Sequence, residues 1–160
     1  MLESKVRLLE GDHIDRAILQ TLQENARISN ADLARQVNLS PPAVHARVRR
    51  LEEQGLIRKY VALLDREAAG YDMLCLISVR LERHQRRDID RLRTVVQEMP
   101  EVLECFHVTG EFDFLLKVVM RNRQELERFV VDRLSSLAGI AHIRTSLVLS
   151  EIKSTTALPL

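Results

Sequence analysis

The spacing of hydrophobic residues changes near position 60, and this change divides the 160-residue chain into two parts. Before it, apolar residues recur every three or four positions, which is the period of an amphipathic helix. After residue 72, several runs alternate at every second residue, which is the period of a β-strand. The pattern therefore predicts a helical N-terminal domain followed by a mixed α and β domain.

The first part predicts three short helices. Asp12 is placed to cap a helix whose apolar stripe follows it: Ile14, Ile18, Leu19 and Leu22. Ser29 and Asp32 have the spacing of a capping box and open a second helix. A turn over residues 38–40 leads into a third helix at about 40–54, and two helices joined so tightly form a helix-turn-helix.

Gly55 follows the third helix, at a position where glycine favours helix termination. Leu56 to Leu64 then reads as an extended piece, interpreted as a strand leaving the helical module. We therefore place a winged-helix-like domain at 11–64 and a linker at 65–72.

The second part predicts the order βαββαβ of a ferredoxin-like domain, which makes the whole chain α+β. Its elements are strand 73–81, helix 88–99, strands 102–109 and 113–120, a helix capped by Asn122, and strand 140–149. This domain spans 73–151 and is followed by a C-terminal segment, 152–160, to which the residues assign no role.

The first strand is apolar on both faces. Leu74 and Leu76 lie opposite a face formed by Met73, Cys75, Ile77, Val79 and Leu81. Helices in this fold cover only one face of the sheet, so the other face needs a second cover. Self-association would supply it, and the N-terminal helices are the alternative.

Composition narrows the class of protein. Hydrophobic residues make up 46% and charged residues 29%, as in globular proteins. The chain contains neither the run of roughly 20 apolar residues that spans a membrane nor a secretory signal pattern. We expect a cytoplasmic protein whose two cysteines, Cys75 and Cys105, are reduced and packed.

The net charge of +1 excludes a globally basic protein, so a nucleic-acid surface has to be local. Residues 41–60 carry five basic side chains against two acidic ones. In the third helix, Val44, Val48 and Leu51 share one arc and are expected to face the core. Arg47 lies beside that arc, where we expect it to pair with an acid or a phosphate.

The opposite face of the third helix combines small residues with cations. Pro41 fits the first helical turn, where its missing N–H costs nothing. Small side chains let a helix enter the major groove, and arginines contact guanine edges or phosphates. The candidate DNA-binding residues are Ser40, Pro42, Ala43, His45, Ala46, Arg49, Arg50, Arg58 and Lys59. A solvated basic face, or a helix that docks on another protein, is the alternative.

Residues 12–65 closely resemble the DNA-binding domain of the Lrp/AsnC family, the leucine-responsive and asparagine regulators. The family pattern SP-x-x-V-x-x-RV-x-x-LE-x-x-G-x-I is satisfied from Ser40 to Ile57. The stretch VTGEFDFLLKV, beginning at Val108, resembles the effector domain of the same family. Glu111 stands where an aspartate is common, which retains the carboxylate.

This resemblance implies a transcriptional regulator that binds double-stranded DNA, associates as dimers, tetramers or octamers, and resides with the nucleoid. It also implies a small amino-acid effector held near the GEFD hairpin, where an ammonium needs acceptors and a carboxylate needs N–H donors. Gly110 would allow close backbone approach. The candidate effector-binding residues are Thr109, Gly110, Glu111, Phe112, Asp113, Thr145 and Ser146. Ordinary turn chemistry is the alternative for Glu111 and Asp113.

Two other functions stay open at this point. The same two-domain fold resembles sirohaem-type decarboxylases, for which His107, His142 and Arg144 are the available side chains. A co-regulator that only hetero-oligomerises is the other. No H-x-x-x-H, C-x-x-C, G-x-S-x-G or phosphate-loop pattern occurs, so we expect no catalytic site, metal or cofactor.

Overall fold

A computed structural model describes residues 12–83 and 85–160. The chain forms two compact units. Of the described residues, 12–62 and Lys153–Leu160 form the N-terminal unit, and Leu63–Ile152 forms the C-terminal unit. Within the described residues, no helix is both long and apolar enough to cross a membrane.

The N-terminal unit contains α1 (His13–Glu24), α2 (Asn30–Gln36) and α3 (Pro41–Glu53). The capping residues act as the sequence predicts. Asp12 Oδ1 accepts hydrogen bonds from the backbone N–H groups of Ile14 and Asp15, both at 3.1 Å. Ser29 Oγ accepts the N–H of Asp32 at 3.1 Å. These caps satisfy N–H groups that have no partner within the helix.

The core of this unit forms where the three helices meet. Ile18 and Val44 are fully buried, and Leu33 and Leu51 are 1% exposed. The predicted inner face of α3 is thus confirmed, with Val48 packed at its margin.

The segment after α3 differs from its prediction as a strand. Gly55 adopts a φ of +71°, and the N–H groups of Leu56 and Ile57 then donate back to the carbonyl of Leu51 at 3.0 and 3.2 Å. Residues 56–64 form no strand with any described part of the chain. A strand needs a neighbour for its backbone groups, and the alternation of side chains does not supply one.

The C-terminal unit confirms the predicted βαββαβ order. Its elements are β1 (Met73–Leu81), α4 (Arg86–Gln97), β2 (Val102–His107), β3 (Phe114–Met120), α5 (Arg123–Arg128), a π-helical turn (Phe129–Leu134) and β4 (Ile140–Leu147). All pairings are antiparallel, and the strand order is β2-β3-β1-β4.

The helices pack on one face of this sheet. The odd-numbered residues of β1 from Cys75 to Leu81 are buried in a cluster with side chains from β3, α4 and the π-helical turn. The opposite face, here called the open face, exposes Leu76 at 37% and Phe106 at 47%. Cys75 is buried as expected, but Cys105 is exposed, because β2 is an edge strand.

Candidate DNA and effector sites

The start of α3 is rigid. Ser40 is its N-cap and accepts a hydrogen bond from the N–H of Ala43 at 3.4 Å, while Pro41 and Pro42 occupy the first two helical positions. Proline fixes φ near the helical value, and the missing N–H groups are ones that a helix leaves unpaired. The prolines therefore fix the direction in which α3 leaves the turn.

The exposed face of α3 contains the small and cationic residues that the sequence assigned to it. Pro42, His45, Ala46 and Arg49 are exposed, and Ala43 is half-buried at the edge of the core. His45 Nδ1 lies 3.4 Å from the side-chain nitrogen of Asn30, at the start of α2. The first half of this face therefore carries small side chains, and the positive charge lies toward the C-terminal end of α3.

Arg47 ties α3 to the start of α1. Its Nη1 donates to Asp12 at 2.5 Å and to Asp15 at 2.8 Å, and the Asp15 side chain is only 3% exposed. The hydrogen bond from Arg47 lowers the pKa of the Asp12 carboxyl below its ordinary value, and the same bond raises the pKa of Arg47. The prediction that Arg47 pairs with an acid is confirmed.

The position of Arg50 differs from the one predicted from the helical wheel. We expected it to face outward with Arg49, but its Nη2 binds the buried carboxylate of Asp15 and lies 3.8 Å from Asp12. Its side chain remains 47% exposed. The physical reason is length: a side chain that leaves the helix away from the core is long enough to turn back to α1. Asp12 and Asp15 together form an acid pair that binds Arg50 as well as Arg47.

Arg49 is held far less firmly. Its Nε donates to Glu53, one turn further along α3, at 2.9 Å, and the two side chains are 71% and 64% exposed. Exposed pairs at this spacing contribute only about 0.3–0.5 kcal/mol. Arg49 can therefore exchange this carboxylate for a DNA acceptor at little cost in free energy.

The residues after α3 extend the basic surface. Arg58 and Lys59 are exposed and form no ion pair with another described side chain. Next to them, the hydroxyl of Tyr60 donates to Glu52 at 2.8 Å. Burial and the hydrogen bond to Glu52 raise the pKa of Tyr60 to about 12. Glu52, one of the two acids within residues 41–60, therefore accepts a hydrogen bond from the protein itself.

Sequence reasoning did not identify Asp15, although a signal was present. It precedes Ile18, Leu19 and Leu22 by three, four and seven positions, so it lies on the buried stripe of α1. A single acid on an apolar stripe indicates a buried partner of opposite charge, because an unpaired buried carboxylate is costly.

In the C-terminal unit, the loop between β2 and β3 is fixed by its own backbone. The N–H of Val108 donates to the carbonyl of Asp113 at 2.9 Å, and Gly110 between them has a φ of +120°, which other residues rarely adopt. The Asp113 carboxylate accepts the N–H of Leu81 at 2.7 Å. Asp113 therefore already holds the loop against the end of β1, while Thr109 and Glu111 are exposed.

The loop brings Glu111 and Phe112 to β4. Arg144 lies 3.5 Å from Glu111 and 4.7 Å above the Phe112 ring, and Phe112 stacks on His142 at 6.1 Å. The sequence named Phe112 and Glu111 as effector residues but did not join Arg144 to them.

The two polar residues of β4 do not share a face. Ser146 pairs with Leu76 on the open face, whereas Thr145 pairs with the buried Ile77. Neighbouring residues of a strand point to opposite faces. Ser146 thus lies on the same side of the sheet as Arg144, and Thr145 on the other side.

The two histidines considered for enzyme chemistry do not converge. His107 lies in β2 and stacks on Phe114 at 4.8 Å, while His142 lies in β4 at the other edge of the sheet. Three strand spacings separate these edges, about 14 Å. They cannot hold one reacting group between them.

Comparison with known protein families gives two matches. The model of the Lrp/AsnC ligand binding domain matches residues 74–158, and that of the winged helix-turn-helix DNA-binding domain matches residues 11–58. The leucine-responsive regulatory protein of Escherichia coli is 37% identical over 159 residues, covering 99% of this chain and 97% of its own. Transcriptional regulator AzlB of Bacillus subtilis is 34% identical over 149 residues, covering 93% and 95%.

Solved structures are similar over both units. A transcriptional regulator from Neisseria meningitidis in complex with L-Met has a TM-score of 0.89 at 39% identity, covering 92% of this chain and 96% of that one. AsnC of Escherichia coli has a TM-score of 0.85 at 28% identity, covering 92% and 98%. The relatives are regulators of transcription and not enzymes, so the decarboxylase hypothesis is not retained.

Proposed function

The chain belongs to the Lrp/AsnC family of DNA-binding transcriptional regulators, and we propose that it reads a specific DNA sequence through the exposed face of α3. The observation that supports this assignment is a small, proline-started helix face that ends in the weakly held Arg49. Residues 11–64 act as the DNA-binding domain. Ser40, Pro42, Ala43, His45 and Ala46 line the groove-facing part.

The cations have unequal roles in this proposal. Arg49 contacts a guanine edge or a phosphate, and Arg58 and Lys59 contact phosphates. Arg50 uses one nitrogen for Asp15 and has further N–H groups for a phosphate, because guanidinium carries five donors. Arg50→Ala should therefore lower both stability and affinity, whereas Arg49→Ala should lower affinity alone.

Fluorescence anisotropy with DNA from upstream of the protein's own gene tests this surface. Each lost phosphate contact should reduce the slope of log affinity against log salt by about 1. Arg86→Ala is the matched control, since Arg86 is 96% exposed and lies on α4 of the C-terminal unit. If Arg49→Ala and Lys59→Ala behave like Arg86→Ala, the proposed DNA surface is wrong.

We further propose that residues 73–151 bind a free amino acid at the loop between β2 and β3. One relative is named leucine-responsive and another was solved with L-Met. Here Glu111 offers an acceptor for the ammonium, and Thr109, Phe112 and backbone N–H groups belong to the same loop. Ser146 lies on the same face of β4 as Arg144, two residues further along the strand. Asp113 shapes the loop, and Thr145 takes part only where a ligand reaches around the edge of the sheet.

Thermal unfolding with each of the twenty amino acids identifies the effector. A ligand at a hundred times its Kd stabilises the folded state by about 2.7 kcal/mol. Glu111→Gln should abolish the stabilisation, while the exposed Glu127→Gln should preserve it. The primary amine that lacks the carboxylate should give no shift. Equal shifts with this amine and the amino acid would contradict an amino-acid site.

Self-association through the open face completes the proposal, giving dimers that assemble into tetramers or octamers. Exposed Phe106 and Leu76 on this face support it. Phe106→Glu should lower the mass measured by light scattering, whereas Val131→Glu, at 58% exposure on the π-helical turn, should not. A monomeric wild-type protein would exclude this assembly and leave hetero-oligomerisation as the alternative. The proposed location is the cytoplasm, on the nucleoid.

A further inference from the structure

The segment Lys153–Leu160, called the tail below, belongs to the N-terminal unit although it directly follows the C-terminal unit. It is held against α1 by three hydrogen bonds. The side-chain amide of Gln23 pairs with the backbone of Leu158 in both directions: Nε2 donates to the carbonyl at 3.1 Å, and Oε1 accepts the N–H at 2.6 Å. Gln20 Nε2 donates to the carbonyl of Leu160 at 2.7 Å.

One apolar side chain accompanies these bonds. Leu160 packs against the hydrophobic core of the N-terminal unit, whereas Leu158 is 68% exposed. Ile152, just before the tail, is 91% exposed. The contact thus combines recognition of the backbone by two glutamines with one leucine that packs on the core.

The tail follows in sequence an element that carries a proposed effector residue, and it docks on the helix that carries the acid pair. Before the tail, β4 contains Ser146 and ends at Leu147, and only residues 148–152 separate it from Lys153. Five residues span at most about 18 Å, so the connection from β4 to the tail is short. The receiving helix α1 bears the tail contacts near its C-terminal end, at Gln20 and Gln23, and the acid pair that holds Arg47 of α3 at its N-terminal end.

We propose that the tail is a strap that transmits the effector state of the C-terminal unit to α1, a role that rests on the proposed amino-acid response. In one state the strap is docked on Gln20 and Gln23, and in the other it is released. A ligand can shift such an equilibrium only by its different affinity for the two states. Three exposed hydrogen bonds and one leucine form a small contact, so in this proposal the docked and released states differ little in free energy.

Hydrogen–deuterium exchange of the full-length protein tests the docking itself, without DNA or ligand. The N–H of Leu158 should exchange roughly tenfold more slowly than in a free peptide, as expected for one well-formed hydrogen bond. Gln23→Ala should remove this protection. Glu24→Ala, on the same helix, should keep it, since Gln20 and Gln23 make the tail contacts among the described residues. An unprotected Leu158 in the wild type would overturn the strap.

The transmission is tested by DNA affinity with and without the amino acid found by thermal unfolding. In the wild type we expect a change of about fivefold or more. Leu160→Ala and Gln23→Ala should reduce it to below about twofold, because the strap is already released and the affinity without ligand is then close to that of the wild type with ligand. Leu158→Ala, which removes an exposed leucine from the same tail, should respond like the wild type.

The outcomes separate this inference from the function on which it rests. An undiminished response in Leu160→Ala and Gln23→Ala, together with lost protection of Leu158, would show that the tail docks without transmitting anything and would overturn the proposal. A wild type that binds DNA but ignores every amino acid would refute the proposed effector response. In that case the exchange of Leu158 still decides whether the tail is docked.

Discussion

Replacement of Asp15 by asparagine is the most direct test of how α3 is held. Asp15→Asn keeps the size of the side chain and removes the charge that Arg47 and Arg50 share. Removing one partner of a buried ion pair costs about 3–5 kcal/mol when the other charge is left buried. Here the two arginines are 28% and 47% exposed, and Asp12 remains beside them. We therefore expect a loss of about 2 kcal/mol from the N-terminal unit.

Urea unfolding followed by helical circular dichroism measures this loss. With an m-value of about 1–2 kcal/mol/M for a unit of this size, the midpoint should fall by roughly 1–2 M. Glu53→Gln is the matched control, because it removes the acid of an exposed arginine pair on the same helix and should cost about 0.3–0.5 kcal/mol.

Two further measurements test whether Asp15 acts through a buried ion pair. The cost of Asp15→Asn should persist in about 0.5 M NaCl, since salt screens a buried pair weakly. A double-mutant cycle with Arg47→Gln should give a coupling energy above about 1 kcal/mol. A cost equal to that of Glu53→Gln, or one that disappears with salt, would mean that Asp15 does not fix α3.

Two more predictions concern the ends of the helices. Asp12 has a folded-state pKa below its ordinary 3.8, so its ion pair adds stability above pH 3.8 and loses it as the pH falls through the lower folded pKa. Asp12→Asn keeps the cap, and the stability difference from the wild type should therefore shrink between about pH 5 and pH 2 in acid titrations of unfolding; a constant difference would contradict this. Gly55→Ala should cost about 1 kcal/mol in urea unfolding because φ is +71° there, and Gly55→Asn should cost less; equal costs would rule out backbone conformation as the cause.

The elements that the sequence predicts correctly depend on local signals. Asp12 and Ser29 identify helix starts because a cap binds N–H groups two or three residues away. The alternation of β1 identifies its buried face for the same reason, since the period of a strand is a property of the backbone. Element ends shift by at most two residues, because fraying depends on neighbours that the pattern does not contain.

The features that the sequence does not predict depend on distant neighbours. Arg50 turns back to Asp15 across 35 positions, and no helical wheel contains the partner that draws it in. Leu158 pairs with Gln23 across 135 positions, and no local pattern distinguishes this glutamine from other exposed polar residues. Thr145 and Ser146 point to opposite faces of the sheet. Which of them lies on the open face depends on the register of β4 against β1, and that register is known only from the paired strands.

The acid pair has a consequence for exchanging DNA specificity between regulators. Because Arg47 and Arg50 of α3 are held by Asp12 and Asp15, α3 is not an independent cassette. A graft that transfers α3 alone into another regulator would leave its arginines without these carboxylates, and the helix would settle at a different angle. The transferable piece begins at Asp12, so a specificity swap has to include the first turn of α1 and end after Gly55.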